Sequence, residues 1–260
     1  MNGTSTVLSI ALGYYCGAEE KIFTPIIVDN PSVGIVMVRD PQINLTSRQV
    51  DLLFSLTLPY VARAFQEDIN SMTKENVQDY FEHTFVGDII FFLGNVKDGT
   101  KEPVLFSHSN FSFIDNDGVY LNGIACDPLH QGKGYAKLLW VKAITMLKEW
   151  KTLLAVRTIN VRLISILKKT INDTPIFPLD KSWDPTKFPE IATFASKLAK
   201  EKGWERFNPN TLVISKAFPL HLIAVSREVT ESSTPLSLQI DELINWNSGD
   251  ALLCVCRLTR

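Results

Sequence analysis

The sequence predicts an α/β (α+β) fold, a mixed and mostly antiparallel central sheet flanked by helices, with N-terminal and C-terminal additions. Three observations predict it. A strand pattern over residues 33–39 precedes two amphipathic helix patterns, and three strand patterns separated by turn residues follow over residues 88–126. The last of these enters a glycine-containing turn that opens directly into another amphipathic helix.

Taken in order, residues 1–32 form an N-terminal extension in which the apolar run Val7–Leu12 reads as a strand or an anchoring segment. No basic residue precedes that run, which argues against a signal peptide. Residues 33–260 read as a single domain. Its first strand, Val33–Arg39, ends at Asp40-Pro41, and Thr46-Ser-Arg-Gln opens a helix with Leu52, Leu53, Leu56, Tyr60, Val61 and Ala64 on its apolar face. A second helix starts near Thr73 and ends near Phe85, capped by Ser71 or Thr73. Strands follow at 88–95, 102–114 and 119–126, with Lys97-Asp-Gly99 and Asp115-Asn-Asp-Gly118 as turns, an antiparallel meander. A strand is expected at 153–159. Beyond it, either Asn160 or Pro189 opens the next helix, and a proline-rich loop plus helix at about 171–203 reads as an insertion. Leu212–Ser215, His221–Val225 and Ala251–Cys256 complete the strand patterns, joined by segments 232–239 and 241–247 of partly helical character.

The informative stretch is Ile124-Ala-Cys-Asp-Pro-Leu-His-Gln-Gly-Lys-Gly-Tyr-Ala136. From Gly134 onward the apolar residues Tyr135, Leu138, Leu139, Val141, Ile144, Leu147 and Trp150 recur at helical spacing. Glycines at a helix mouth let the backbone approach a ligand closely and aim unpaired N–H groups at an anion. A dinucleotide fingerprint needs a third glycine where Lys137 stands, and a Walker A loop needs Ser or Thr after Gly132-Lys133, where Gly134 stands.

The arrangement Gln131-x-x-Gly134-x-Ala136, preceded by Ile124-Ala-Cys126-Asp-Pro128, resembles the signature of the GNAT acetyltransferase superfamily, with Cys126 where Val is usual. The order of elements over roughly residues 33–150 resembles that fold as well. The resemblance implies acetyl-CoA as acyl donor and no metal. Main-chain groups of Ile124, Ala125 and Cys126 would contact pantetheine and acetyl, and Gln131, Gly132, Lys133, Gly134, Tyr135 and Ala136 the pyrophosphate. Asn160 is implied as a further cofactor contact. Neither helix beginning supplies the tyrosine with which family members protonate the leaving thiolate, because Leu167 or Ala199 occupies its place.

Charge is consistent with a polyanionic cofactor. The net charge is −2, so nothing global points to nucleic acid, but residues 130–170 hold nine Lys/Arg against one acid, Glu149. Four cysteines, 16, 126, 254 and 256, are too sparse for a disulfide scaffold, and a cytoplasmic location is expected. No run reaches the roughly 20 apolar residues of a membrane span.

Acetyl transfer to an amine needs a held thioester, a deprotonated amine and oxyanion stabilisation. For proton chemistry the candidates are His108 and Tyr120, with Asn122, Tyr60, Glu67 and Asp68 nearby; His130 reads as a cofactor neighbour and Cys126 as a buried strand residue. Residues 60–90 carry six acids and two bases, a balance that suits a cationic amine acceptor, whether a small molecule or a protein lysine or N-terminus. Two other readings stand beside direct N-acetyl transfer: a catalytically silent acyl-CoA-binding sensor or interaction module, and a transferase of longer acyl or aminoacyl groups.

Overall fold

A computed structural model describes residues 3–97, 100–171, 174–218 and 234–258. The described chain divides into two compact units: residues 1–113 with 121–145, and residues 114–120 with 146–260.

The first unit opens with helix α1 (Gly3–Cys16), so of the two readings of Val7–Leu12, a strand or an anchoring segment, the strand is corrected. A short uninterrupted apolar run suits either element, and packing decides between them. Leu8, Leu12 and Cys16 lie on one helical face and are buried in the core. Ser5 and Ser9 on the same side donate to the carbonyls of Ile26 and Phe23, and Ser5 Oγ also accepts from Ile35 N–H. Such anchoring explains Gly34, where a Cβ would run into the backbone of Thr4 and Ser5.

Strands β1 (Thr24–Ile26), β2 (Gly34–Arg39), β3 (Ile89–Val96), β4 (Pro103–Ile114) and β5 (Gly118–Cys126) are neighbours in that order. β1–β2, β2–β3 and β3–β4 are antiparallel. Between β4 and β5, Ser107 Oγ donates to the Ala125 carbonyl and Asn122 Nδ2 to Ser112 Oγ, pairings that run in antiparallel register. After the short helix α2 (Pro41–Asn44), helices α3 (Ser47–Ala64) and α4 (Lys74–Phe85) begin at the expected caps. Thr46 and Gln49 form a reciprocal capping box, and Thr73 accepts from Asn76 N–H. Val50, Leu53, Phe54, Tyr60, Val61, Tyr80 and Phe85 pack from these helices with α1 and the sheet. Helix α5 (Tyr135–Leu147) follows the glycine turn, with Trp140 fully buried against Phe111.

In the second unit, β6 (Leu153–Thr158), β10 (Ala251–Arg257), β9 (Val213–Ile214) and β8 (Phe207–Asn208) are neighbours in that order, and β7 (Ile176–Phe177) also pairs with β10. Both helix starts read from the sequence exist: α6 (Val161–Thr170) is capped by Asn160, and α7 (Pro189–Glu201) opens on its proline. Helix α8 (Pro235–Leu243) precedes β10. Lys151 Nζ closes the 115–117 turn by donating to the carbonyls of Asp115 and Asn116. The strand expected at His221–Val225 and part of the turn Lys97-Asp-Gly99 lie outside the described residues.

Candidate functional site

The site is built where β5 ends. Asp127 stops the strand, its N–H donating to the Phe106 carbonyl at 2.8 Å. Its carboxylate accepts from Leu129 N–H at 3.1 Å, capping a short turn at Pro128–His130. It also accepts two bonds from Arg63, Nε to Oδ1 at 3.1 Å and Nη2 to Oδ2 at 2.6 Å. Bidentate pairing of this kind fixes orientation as well as charge. The Asp127 side chain is only 4% exposed while that of Arg63 is 45% exposed, so the acid is the buried member. Burial pushes its pKa up, but the Arg63 guanidinium and the Leu129 N–H outweigh burial and hold it below the ordinary carboxylate value. His130 lies flat on Phe106, with ring centres 4.3 Å apart, and its Nδ1 is 3.7 Å from Asp127 Oδ2.

The chain then opens. Gly132 and Gly134 have φ of +79° and +77°, left-handed backbone that glycine adopts without steric cost, and a Cβ at either would meet nothing within 4 Å. Residues 131–134 are exposed, and the amides of 132–136 have no backbone acceptor among the described residues. They stand at the N-terminus of α5, where orphan N–H groups and the helix dipole favour an anion. Lys133 and Lys137 flank them, both exposed.

Ile124 and Cys126 are half-buried on β5 and Ala125 is buried. Burial raises the Cys126 thiol above its ordinary value, against the lowering influence of Ser107 and of the Ala136 N–H, so it is a protonated wall residue and not a thiolate. Thus Ile124, Ala125, Cys126, Gln131, Gly132, Lys133, Gly134, Tyr135 and Ala136 form one continuous strand-turn-helix segment. Asn160 belongs to the second unit, where its side chain accepts from Arg162 and Leu163 N–H as the cap of α6.

His108 is fully buried on β4, with Nδ1 2.9 Å from the equally buried Tyr60 hydroxyl. Burial, then the neighbouring His83, lowers its pKa to about 3, so the imidazole is neutral at any working pH. Tyr120 is in the second unit, buried against Trp204 with Lys202 Nζ 5.0 Å from its ring centre. Glu67 accepts from Asn76 Nδ2 at 2.9 Å, and Asp68 caps the turn after α3 through Asn70 and Ser71.

Two features were not singled out from the sequence: the Arg63–Asp127 pair, and His83 beside His108. Arg63 falls one turn after Tyr60, on the same helical face, and that spacing is the signal that points it at the sheet.

With this geometry in place, comparison with known proteins is informative. Residues 61–170, from the end of α3 through α6, match the acetyltransferase (GNAT) family. No curated protein matches the chain. Among solved structures the chain is similar to the ribosomal-protein-S18-alanine N-acetyltransferase of Escherichia coli, at 14% identity and TM-score 0.36 over 55% of this chain and 80% of that one. It is also similar to the PaiA N-acetyltransferase of Thermoplasma acidophilum in complex with coenzyme A, at 15% identity and TM-score 0.34 over 54% and 92%. A third is the IAA acetyltransferase of Bacillus cereus, at 18% identity and TM-score 0.32 over 52% and 74%. At these values the likenesses carry no argument about donor or acceptor.

Among the described residues no helix is long and apolar enough to cross a membrane, and no group of three or more His, Cys, Asp or Glu is placed to hold a metal.

Proposed function

We propose that the protein is an acetyl-CoA-dependent N-acetyltransferase that moves the acetyl group directly to a primary amine. The observation that carries this reading is the mouth of α5, where two left-handed glycines and the amides of residues 132–135, without a backbone acceptor among the described residues, stand beside exposed Lys133 and Lys137. A pyrophosphate supplies the oxygens those donors lack. The residues present therefore fit the group: Gly132–Ala136 hold the pyrophosphate, and the main chain of Ile124, Ala125 and Cys126 lies alongside pantetheine and acetyl.

The thioester arrives already activated, so the chain's own tasks are orientation and proton removal. Asp127, locked by Arg63 and Leu129, fixes where β5 stops and the loop begins. Phe106 under His130 supports the loop from below. His108 stays neutral, which suits a residue that holds the Tyr60 hydroxyl.

The test is calorimetric titration of the protein with acetyl-CoA, then thiol release against polyamines, amino acids, aminoglycosides and lysine peptides. Binding with free CoA produced on one acceptor class supports the transferase. Binding with no release on any of them supports a silent acyl-CoA module instead, and absence of binding overturns both.

A further inference from the structure

We propose that His83, in the last turn of α4, is the base that takes the proton from the acceptor amine. The inference rests on the transferase reading and adds to it the residue that makes the amine nucleophilic.

Four observations place His83 there. First, Gly123 faces it: a Cβ at that position would collide with His83 Nδ1 and Cε1, so the missing side chain lets the imidazole lie directly on the β5 backbone. Gly123 immediately precedes Ile124–Cys126, the main-chain segment assigned to the acetyl group. Second, His83 is half-buried with its Nδ1 enclosed, whereas His108 and Tyr60 are fully buried, so of the three it is the least enclosed.

Third, the deeper ring of His108 is not the one that takes the proton. The His108 ring stands 6.5 Å away at 85°, and burial keeps it uncharged, with the neighbouring His83 pressing in the same direction. Fourth, the helix end that carries the ring is held. Asn110, fully buried, donates through Nδ2 to the His83 carbonyl at 3.1 Å and to the Val86 carbonyl at 3.3 Å. Phe65 meets the imidazole edge-on at 5.8 Å. An immobilised side chain beside the reacting strand is what general-base catalysis requires.

The step balances as follows. The ammonium of the acceptor gives one proton to the His83 imidazole, which passes it to bulk water. The freed lone pair forms the C–N bond to the acetyl carbonyl carbon while the C–S pair leaves with sulfur. The second proton on nitrogen goes to the thiolate, giving amide and free thiol.

The experiment compares two acceptors of one donor. An alkyl ammonium must be deprotonated before attack, whereas hydroxylamine is largely unprotonated at neutral pH. Thiol release from acetyl-CoA is measured with hydroxylamine and with the fastest of spermidine, kanamycin and a lysine peptide. His83→Ala and His83→Gln are made, the second keeping side-chain bulk without basicity. Expected is a loss of roughly 100-fold or more with the alkylamine and unchanged release with hydroxylamine, the size typical of a removed general base. The melting midpoint and acetyl-CoA affinity of both variants should match the wild type. Equal losses on both acceptors, or no loss on either, overturn the proposal. Wild-type protein that releases thiol to neither acceptor overturns the transferase reading itself, an outcome seen before any variant is compared.

Discussion

Asp127 and the loop at Gly132–Ala136 lie only a few residues apart and follow opposite rules. At Asp127 the polar groups are engaged: its N–H on Phe106, its carboxylate on Arg63 and Leu129 N–H. At 132–136 the amides are left without a backbone acceptor among the described residues, on exposed chain whose two glycines have positive φ. A binding mouth of orphan donors has little to hold its shape, so the shape comes from the anchor beside it. The comparison teaches a division of labour: anchor residues set stability and geometry, and mouth residues set affinity alone.

The sharpest way to break that division is to remove the seat of α5. Trp140 is fully buried against Phe111, and Trp140→Ala should cost about 3–5 kcal/mol of stability by denaturant titration. Stability near wild type would show that the helix behind the mouth is not anchored as described. Next comes Asp127→Ala, which deprives Arg63 of its carboxylate and the 128–130 turn of its cap. About 1.5–3 kcal/mol should be lost, the range for buried hydrogen bonds to charged groups, with acetyl-CoA binding weakened as well. A variant stable but still weak in binding would move Asp127 from anchor to mouth.

A third effect is read in pH. His108 is held at a pKa of about 3 in the folded protein against about 6.5 unfolded. The unfolded chain therefore takes up a proton that the folded one refuses. Stability arising from this site is complete above pH 6.5 and declines as pH falls toward 3, by at most about 1.4 kcal/mol per unit. The stability gap between wild type and His108→Leu should shrink over that window in urea titrations at stepped pH. A gap constant from pH 7 to 4 would mean that His108 titrates in the folded state as it does in the unfolded chain.

Much of the first unit was legible in the sequence because local signals there agree with packing. Thr46 with Gln49 and Thr73 marked helix starts that the structure keeps, and the strand-turn-helix around Gly132 and Gly134 was readable from residue type and spacing. Val7–Leu12 is continuously apolar and read as a strand or an anchoring segment, and the serines that fix it as a helix bond to carbonyls 14 and 21 residues away. The same distance in sequence hid the Arg63–Asp127 pair, 64 residues apart, and the closeness of His83 to Gly123. Asn160 was readable as a helix opener, and its side-chain oxygen caps α6. In the second unit, β9 lies within the strand expected at Leu212–Ser215, whereas β7 and β8 are two residues each, too short to carry a period.

The account rests on the mouth of α5 holding acetyl-CoA, and the most direct test is calorimetric titration of acetyl-CoA into wild type and Gly134→Val. Gly134 has open space where a Cβ would stand, so the valine meets no clash and acts only through its backbone, which resists φ near +77°. That resistance is worth about 1–2 kcal/mol for a residue with a Cβ, and a loop that flips to relieve it turns its amides away from the ligand. The account predicts an unchanged melting midpoint with acetyl-CoA affinity lowered about tenfold or more. Equal affinity in a folded Gly134→Val protein would contradict it.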